Sequence, residues 1–236
     1  DEATPVLVRK QSREHGYVVG LIGNTDWELI RRSPTHVWFV KDDDTADINR
    51  IVTAVGTISR DQDIISSADY EVFQLATTIA GDLSAEIVPV HAYQAPQGLR
   101  GYSMYAASLG GMMATPANQL RTLDATRQEV ITEHSRQIRA FAEFFQIDPD
   151  GVKLYEGPAT TVLSEAVQSL DADLLVMGAQ NLSRWERLLG PVHAEPVLAK
   201  AKCDVLFAKE SAGTEMPDAV EQPATGSPPV DLERAI

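Results

Sequence analysis

The feature that most narrows how this chain can fold is an internal repeat. The stretch "TPVLVRK" at 4–10 superposes on "ADLLVMG" at 172–178 with an offset of 168 residues, and "HVWFVK" at 36–41 superposes on "DVLFAK" at 204–209 with the same offset. The connecting length is equal in both places, so the match runs without a gap over about 38 residues. Each copy is an apolar run, a loop, an amphipathic stretch and a second apolar run, the pattern of a βαβ unit. A lone unit of that kind cannot bury both faces of its strands, so it must dock on something. The natural partner is the edge of the second copy.

Between the repeats the pattern keeps alternating. "RIVTAV" (50–55), "EIVPVHA" (86–92), "VKLYEG" (152–157), "DLLVMG" (173–178) and "DVLFAK" (204–209) read as strands, with Pro89 a mild objection to a central position for the second. Helical faces run through Ala68, Val72, Leu75, Ala76, Ile79 and Leu83, and through Val162, Leu163, Ala166, Val167 and Leu170. A longer stripe joins Leu120, Leu123, Val130, Ile131, His134, Ile138, Phe141 and Phe145, and a last helix is expected around 192–201. Strands apolar on both faces, alternating with helices, specify a parallel sheet covered on both sides. The expected organisation is a C-terminal βαβ unit of a first copy at 1–41, an acidic linker "DDDTAD" at 42–47, a complete domain at 48–209 and an acidic, disordered tail at 210–236. The chain opens on Asp1 rather than methionine, as a processed product or a piece of a longer tandem protein would. The stretch 92–119 has no steady period and reads as a long loop, either a flap over a ligand or a weakly ordered connection.

Composition removes several functional classes. A formal net charge of −14 argues against nucleic acid or an anionic membrane as partner, because phosphates need a basic footprint. The basic patch "RKQSREHG" at 9–16 is too small to change that. A single cysteine, Cys203, allows no intramolecular disulfide, and the five histidines have no metal-ligand spacing. The expected compartment is the cytoplasm. The longest nearly apolar stretch, 104–114, is too short to span a bilayer. No catalytic set stands out: Ser164 in "TTVLSEA" lacks the glycines of a nucleophile elbow. "EGPATT" reads as turn chemistry with Thr160 or Thr161 as the helix N-cap.

The segments "RIVTAV", "AEIVPVHAY", "YEGPATTVLSEAVQSLDADLLVMGAQ", "LLGPVHAEPVLAKAKCDVLFAK" and, in the first copy, "LIGNTDWELIRRSPTHVWFVKD" together resemble the universal stress protein family, tandem-domain type. The resemblance covers nearly all of 48–209 and, as a partial copy, 4–41. It implies an open, Rossmann-like α/β domain with a five-stranded parallel sheet and helices on both faces, plus the partial second copy. It also implies pairing of domains through their last strands. "HVWFVK" and "DVLFAK" are then expected to meet about a pseudo-twofold axis, within one chain or between two chains of a homodimer. Trp38, Phe39, Leu206 and Phe207 would be the buried contacts.

Many members bind ATP through G-x2-G-x9-G-S/T after the fourth strand. Glycines there let backbone N–H groups approach phosphate, and the following helix adds its dipole. Here Gly178 matches the first glycine and is followed by Ala179 and Gln180, while Asn181 stands at the second. Pro191 and Val192 fall where the glycine and hydroxyl belong, with Gly190 one residue early. The acidic residue that the family places at the end of strand one, against the nucleoside, falls on Gly56. In the partial copy the matching positions are Lys10, Arg13, Gly23 and Asn24. Arg184 and Arg187 could grip an anionic ligand, or could pair with Glu186 and Glu195 on a solvated loop. Trp185 between them reads as packed over the loop, His91 as core or pocket wall, and His134 as a core histidine. His193 opens the last helix and by itself decides nothing.

The expectation that follows is a non-enzymatic, stress-response binding or regulatory protein whose nucleotide loop is degenerate. The alternative is an ATP- or AMP-binding member, with or without slow hydrolysis. A flavin- or AMP-dependent α/β system has only fold-level analogy behind it, and a lipid-like ligand under the 92–119 loop is a third possibility.

Overall fold

Strands that are apolar on both sides need helices above and below, and the sheet is built that way. The computed structural model describes residues 6–10, 24–40, 47–56, 66–93, 117–179 and 203–210. In chain order these form β1 (Val6–Lys10), α1 (Asn24–Arg32), β2 (His36–Val40), β3 (Arg50–Val55), α2 (Ser67–Leu83), β4 (Glu86–Tyr93), α3 (Ala117–Phe144), a 3-10 turn at Pro149–Gly151, β5 (Lys153–Glu156), α4 (Ala159–Ser169), β6 (Leu174–Gly178) and β7 (Asp204–Ala208). The seven strands join in one sheet in the order β1-β2-β7-β6-β3-β4-β5. From β7 to β5 every pair is parallel, the parallel sheet that the alternating pattern implies and the open five-stranded α/β arrangement that the resemblance implies. β1 and β2 pair in parallel with each other and extend that sheet instead of forming a separate layer, so the whole has seven strands.

Alternate residues divide the core into two layers. Val52, Val88, Val90, Leu175, Met177, Val205 and Phe207 face Val162, Leu163, Ala166 and Val167 of α4 and Ile30 of α1. Ile51, Val55, Leu174, Val176 and Leu206 face Val72, Phe73 and Ala76 of α2 and Ile138, Phe141 and Ala142 of α3. Phe73 and Phe141, with centroids 4.7 Å apart, lock α2 to α3.

Three local expectations shift. Pro89 does lie in the interior strand β4, where pairing with β5 begins only one residue later at Val90. The N-cap of α4 is Pro158, with no side-chain cap, rather than Thr160 or Thr161, because the extended backbone at Pro158 already turns into the helix at Ala159. The loop expected at 92–119 is trimmed at both ends: Ala92 and Tyr93 finish β4, and Ala117 to Gln119 begin α3. The rest of that loop, the linker at 42–46, the last expected helix, and the tail from 211 onward lie outside the described residues.

The two repeats meet at the antiparallel pair β2–β7, with Val37 opposite Phe207, Trp38 opposite Leu206 and Phe39 opposite Val205. The offset of 168 makes Trp38 and Leu206 equivalent, so a local twofold axis passes between these two facing residues. Phe39 and Phe207, the next equivalent pair, meet edge to face at 5.8 Å and are fully buried. At the ends of the pair, Trp38 Nε1 donates to Asp204 Oδ2 at 3.1 Å, and the Lys209 N–H donates to His36 Nδ1 at 2.9 Å. Lys209 Nζ donates to the Arg31 carbonyl in the last turn of α1 at 3.2 Å. The cover is unequal beyond this junction. Val176 is 0% exposed while its equivalent Val8 is 63% exposed, and Leu175 is 0% exposed while Leu7 is 41%.

Phe39→Ala and Phe207→Ala are each expected to cost about 3 kcal/mol in urea unfolding. The double variant should recover about 1 kcal/mol of that loss as coupling, because both substitutions remove the same ring contact. Strict additivity would show that the rings do not touch in solution.

Candidate functional site

In an open α/β sheet, a ligand crevice forms where two adjacent strands send their chain to opposite sides, at the strands' C-terminal ends. That position lies between β3 and β6. The β3–β6 ladder runs from Ile51–Leu174 to Thr53–Val176 and stops. The outer ladders run further, to Val55–His91 between β3 and β4 and to Gly178–Ala208 between β6 and β7. The two central strands therefore part over their last two residues. Val55 and Gly56 stand on one lip, Gly178 and Ala179 on the other. Thr53, on the last shared rung, is fully buried, and among the described residues its hydroxyl has no hydrogen-bond partner.

Gly56 has φ of 84°, a conformation glycine adopts freely and side-chain-bearing residues avoid. Its N–H donates to Asp69 Oδ1 at 3.0 Å. Asp69, in the first turn of α2, is 0% exposed and also accepts from Ser66 N–H and Ser66 Oγ, both at 2.8 Å, through Oδ2. A buried carboxylate is costly unless hydrogen-bonded, and these three donors, together with the positive end of the α2 dipole, supply the compensation. The same peptide unit is held from its other side: the Val55 carbonyl accepts from His91 Nδ1 at 2.8 Å. His91 Nε2 in turn lies 2.9 Å from His134 Nδ1 of α3. The Val55–Gly56 peptide, at the head of the crevice, is thus clamped between a carboxylate and a histidine pair.

Beside the clamp, Tyr93 ends β4 and Glu156 ends β5, where Glu156 is ion-paired with Arg127 of α3. Ser164 is buried and its hydroxyl donates to the Thr161 carbonyl at 2.9 Å, a helix-internal bond. Cys203 is buried next to β7. Among the described residues, no group of three or more His, Cys, Asp or Glu could hold a metal ion, and no helix is long and apolar enough to cross a membrane.

Of the residues singled out in the sequence, Gly56 follows β3, and Gly178 and Ala179 stand at the end of the adjacent strand β6, on the two sides of the gap where the central ladder stops. Trp38, Phe39, Leu206 and Phe207 lie at the strand junction, away from it. Gln180, Asn181, Arg184, Trp185, Arg187, Gly190, Val192 and His193 lie outside the described residues, as do Arg13 and Gly23. Sequence reasoning missed Asp69 altogether. The signal was present: Ser66-Ser67-Ala68-Asp69 just before an apolar helix is the spacing of a capping box.

The histidines make folding pH-dependent with a definite sign. Burial pushes His91 down to about 4 from an ordinary 6.5, opposed by its bond to Val55 and assisted by His134. Burial also lowers His36 and His134. A histidine depressed in the fold takes up its proton more readily when unfolded. Its stabilising contribution is therefore complete above pH 6.5 and declines as pH falls toward 4. For His91 that decline is about 3 kcal/mol. Urea midpoints measured from pH 7 to pH 4 are expected to fall, and His91→Phe should flatten the slope. An unchanged slope in that variant would assign the effect elsewhere.

Comparison with known proteins gives the site its context. The Universal stress protein family matches residues 65–209. The Universal stress protein E homolog of Haemophilus influenzae is 24% identical over 208 residues, covering 87% of this chain and 62% of its own length. Universal stress protein E of Salmonella typhi is 24% identical over 86% of this chain and 60% of its own. The chain thus spans less than two thirds of these relatives. Among solved structures, a putative universal stress protein from Pseudomonas aeruginosa UCBPP-PA14 superposes with a TM-score of 0.58 at 21% identity, over 92% of this chain and 65% of that one. A functionally unknown protein from Pseudomonas aeruginosa PAO1 gives 0.57 at 20% identity, over 92% and 64%. These two likenesses support the fold. With the family match spanning more than half of its length, the chain belongs to the universal stress protein family.

Proposed function

We propose that this chain is a non-enzymatic binding or regulatory protein of the stress response, acting in the cytoplasm, whose nucleotide crevice is degenerate. One observation carries the reading: the Gly56 N–H is taken by Asp69, a carboxylate of the chain itself. The family resemblance puts an acid at position 56 to meet a nucleoside. Here that position is a glycine, and the only described carboxylate bonded to it comes from α2, buried and turned onto the Gly56 and Ser66 backbone N–H groups and the Ser66 hydroxyl. An incoming nucleoside would have to displace those bonds, losing charge-assisted contacts in a low-dielectric setting. In the loop pattern that the family resemblance supplies, Asn181, Pro191 and Val192 stand where a glycine, a second glycine and a hydroxyl residue are expected, which weakens the case for a phosphate cradle.

Under this reading residues 1–41 are the closing βαβ unit of a first copy, joined by an acidic linker to the complete copy at 48–209. Self-association occurs through last strands, either within the chain as in β2–β7 or between chains. Small anionic ligands held by Arg184 and Arg187 remain compatible with it, because side chains rather than bare backbone would make the contacts.

The parting of β3 and β6 favours a second reading, in which ATP or AMP enters between Gly56 and Ala179. Calorimetric titration with Mg-ATP, and separately with AMP, distinguishes the two. The degenerate crevice should give no saturable heat below about 1 mM, equivalent to binding weaker than about 4 kcal/mol. Micromolar affinity that disappears in Gly178→Val would establish the second reading instead.

A further inference from the structure

The clamp on the Val55–Gly56 peptide has a consequence that follows from hydrogen-bond polarity alone. A carbonyl can only accept, so His91 Nδ1, 2.8 Å from the Val55 oxygen, must carry a hydrogen. With His91 neutral, its Nε2 has only a lone pair, and the donor across the 2.9 Å contact must be His134 Nδ1. The Nε2 of neutral His134 is then a bare lone pair on a half-buried ring. Both histidines are held in the Nδ1–H tautomer.

We propose that Asp69, the Val55–Gly56 peptide, His91 and His134 form a proton-reading chain that transmits protonation of His134 on α3 to the peptide at the head of the crevice. The first proton, taken from solvent at His134 Nε2, breaks no hydrogen bond. It turns the neutral His134–His91 bond into a charge-assisted one, with a cation at one end of the chain and the Asp69 carboxylate at the other. Bonds aligned in one direction polarise one another, so the His91–Val55 and Gly56–Asp69 links tighten together. A second proton, on His91 Nε2, sets two donors face to face and breaks the contact between β4 and α3. The chain therefore tightens its hold on the crevice over the first step of acidification and releases α3 over the second.

The surrounding charges leave the histidine pair as the responsive element. Glu133, the next residue on α3, favours the charged form of His134 but is itself bonded to Arg136 and Gln137. On β5, Glu156 is paired with Arg127, and that pair also involves Tyr93 of β4. On α2, Asp69 is the far end of the chain. β3 adds the uncharged Thr53 and the Val55 carbonyl. The chain holds the Val55–Gly56 peptide whether or not a nucleotide binds at the crevice.

The test is long-range 1H–15N correlation on the full chain labelled with 15N-histidine, rings assigned with His91→Phe and His134→Asn. At pH 7.5 both rings should be protonated at Nδ1 and bare at Nε2, the tautomer that free histidine disfavours. Lowering the pH should titrate His134 first, and the Gly56 amide shift should follow the same curve. His134→Asn keeps a donor toward His91 and cannot take a proton, so the Gly56 response should disappear in it. An Nε2–H tautomer on either ring would overturn the proposal, and so would a Gly56 titration that persists in His134→Asn. Should that variant fail to fold, the wild-type tautomers still decide.

Discussion

Everything in this fold depends on covering strands that are apolar on both sides. Val176 and Leu206 have helices against them and neighbouring strands on both edges, and they are fully buried. The βαβ unit at the start of the chain has strands of the same kind, which need the same cover. The antiparallel β2–β7 pairing meets half of that requirement, giving β2 a second neighbour and placing Phe39 against Phe207. At β1, the edge of the sheet among the described residues, Leu7 and Val8 are exposed, whereas Leu175 and Val176, 168 residues later, are buried. Sheet extension through the last strands is thus a direct result of two-sided hydrophobicity rather than a separate device.

The same sheet order creates the crevice. β3 is flanked by β4 and β6, and its chain and that of β6 leave to opposite sides, so the central ladder ends while the outer ones continue. A fold of this kind presents backbone donors at that gap, and any anion nearby will be drawn to them. In this chain the anion is Asp69. The peptide that forms the lip is engaged by its own N–H and carbonyl, and the histidine pair behind it gives that engagement a proton dependence. Fold membership explains where the crevice lies, and the local side chains explain how the Val55–Gly56 peptide at its lip is held.

Much of this was legible in the sequence. The constant offset between "HVWFVK" and "DVLFAK" identifies Trp38 and Leu206 as equivalent, and a twofold pairing then sets them opposite one another. Apolar periodicity located the strands, and the glycines at 56 and 178 marked two strand ends that the sheet order brings together. What periodicity could not supply was the identity of the group that takes the Gly56 N–H. That bond links residues 13 apart in the chain, and a glycine carries no mark of its partner. The His91–His134 contact was hidden in the same way: each residue sits in an apolar pattern, and only the packing of α3 on β4 makes them a pair. Thr160 and Thr161 were misread as caps because hydroxyl residues favour that role, whereas Pro158 fixes the backbone one residue before the helix without any side-chain bond.

The Gly56 N–H at the lip of the crevice is engaged by the protein's own Asp69 carboxylate, and that amide reports the engagement most directly. Hydrogen exchange at that amide, followed by NMR with and without 2 mM Mg-ATP (on the order of the weak-binding limit), separates the two possibilities. The expected result is slow exchange, as for a buried hydrogen-bonded amide, unchanged by nucleotide and lost in Asp69→Ala. Fast exchange in the free protein that becomes protected on adding Mg-ATP would contradict it, and would mean that the N–H is held open for a ligand.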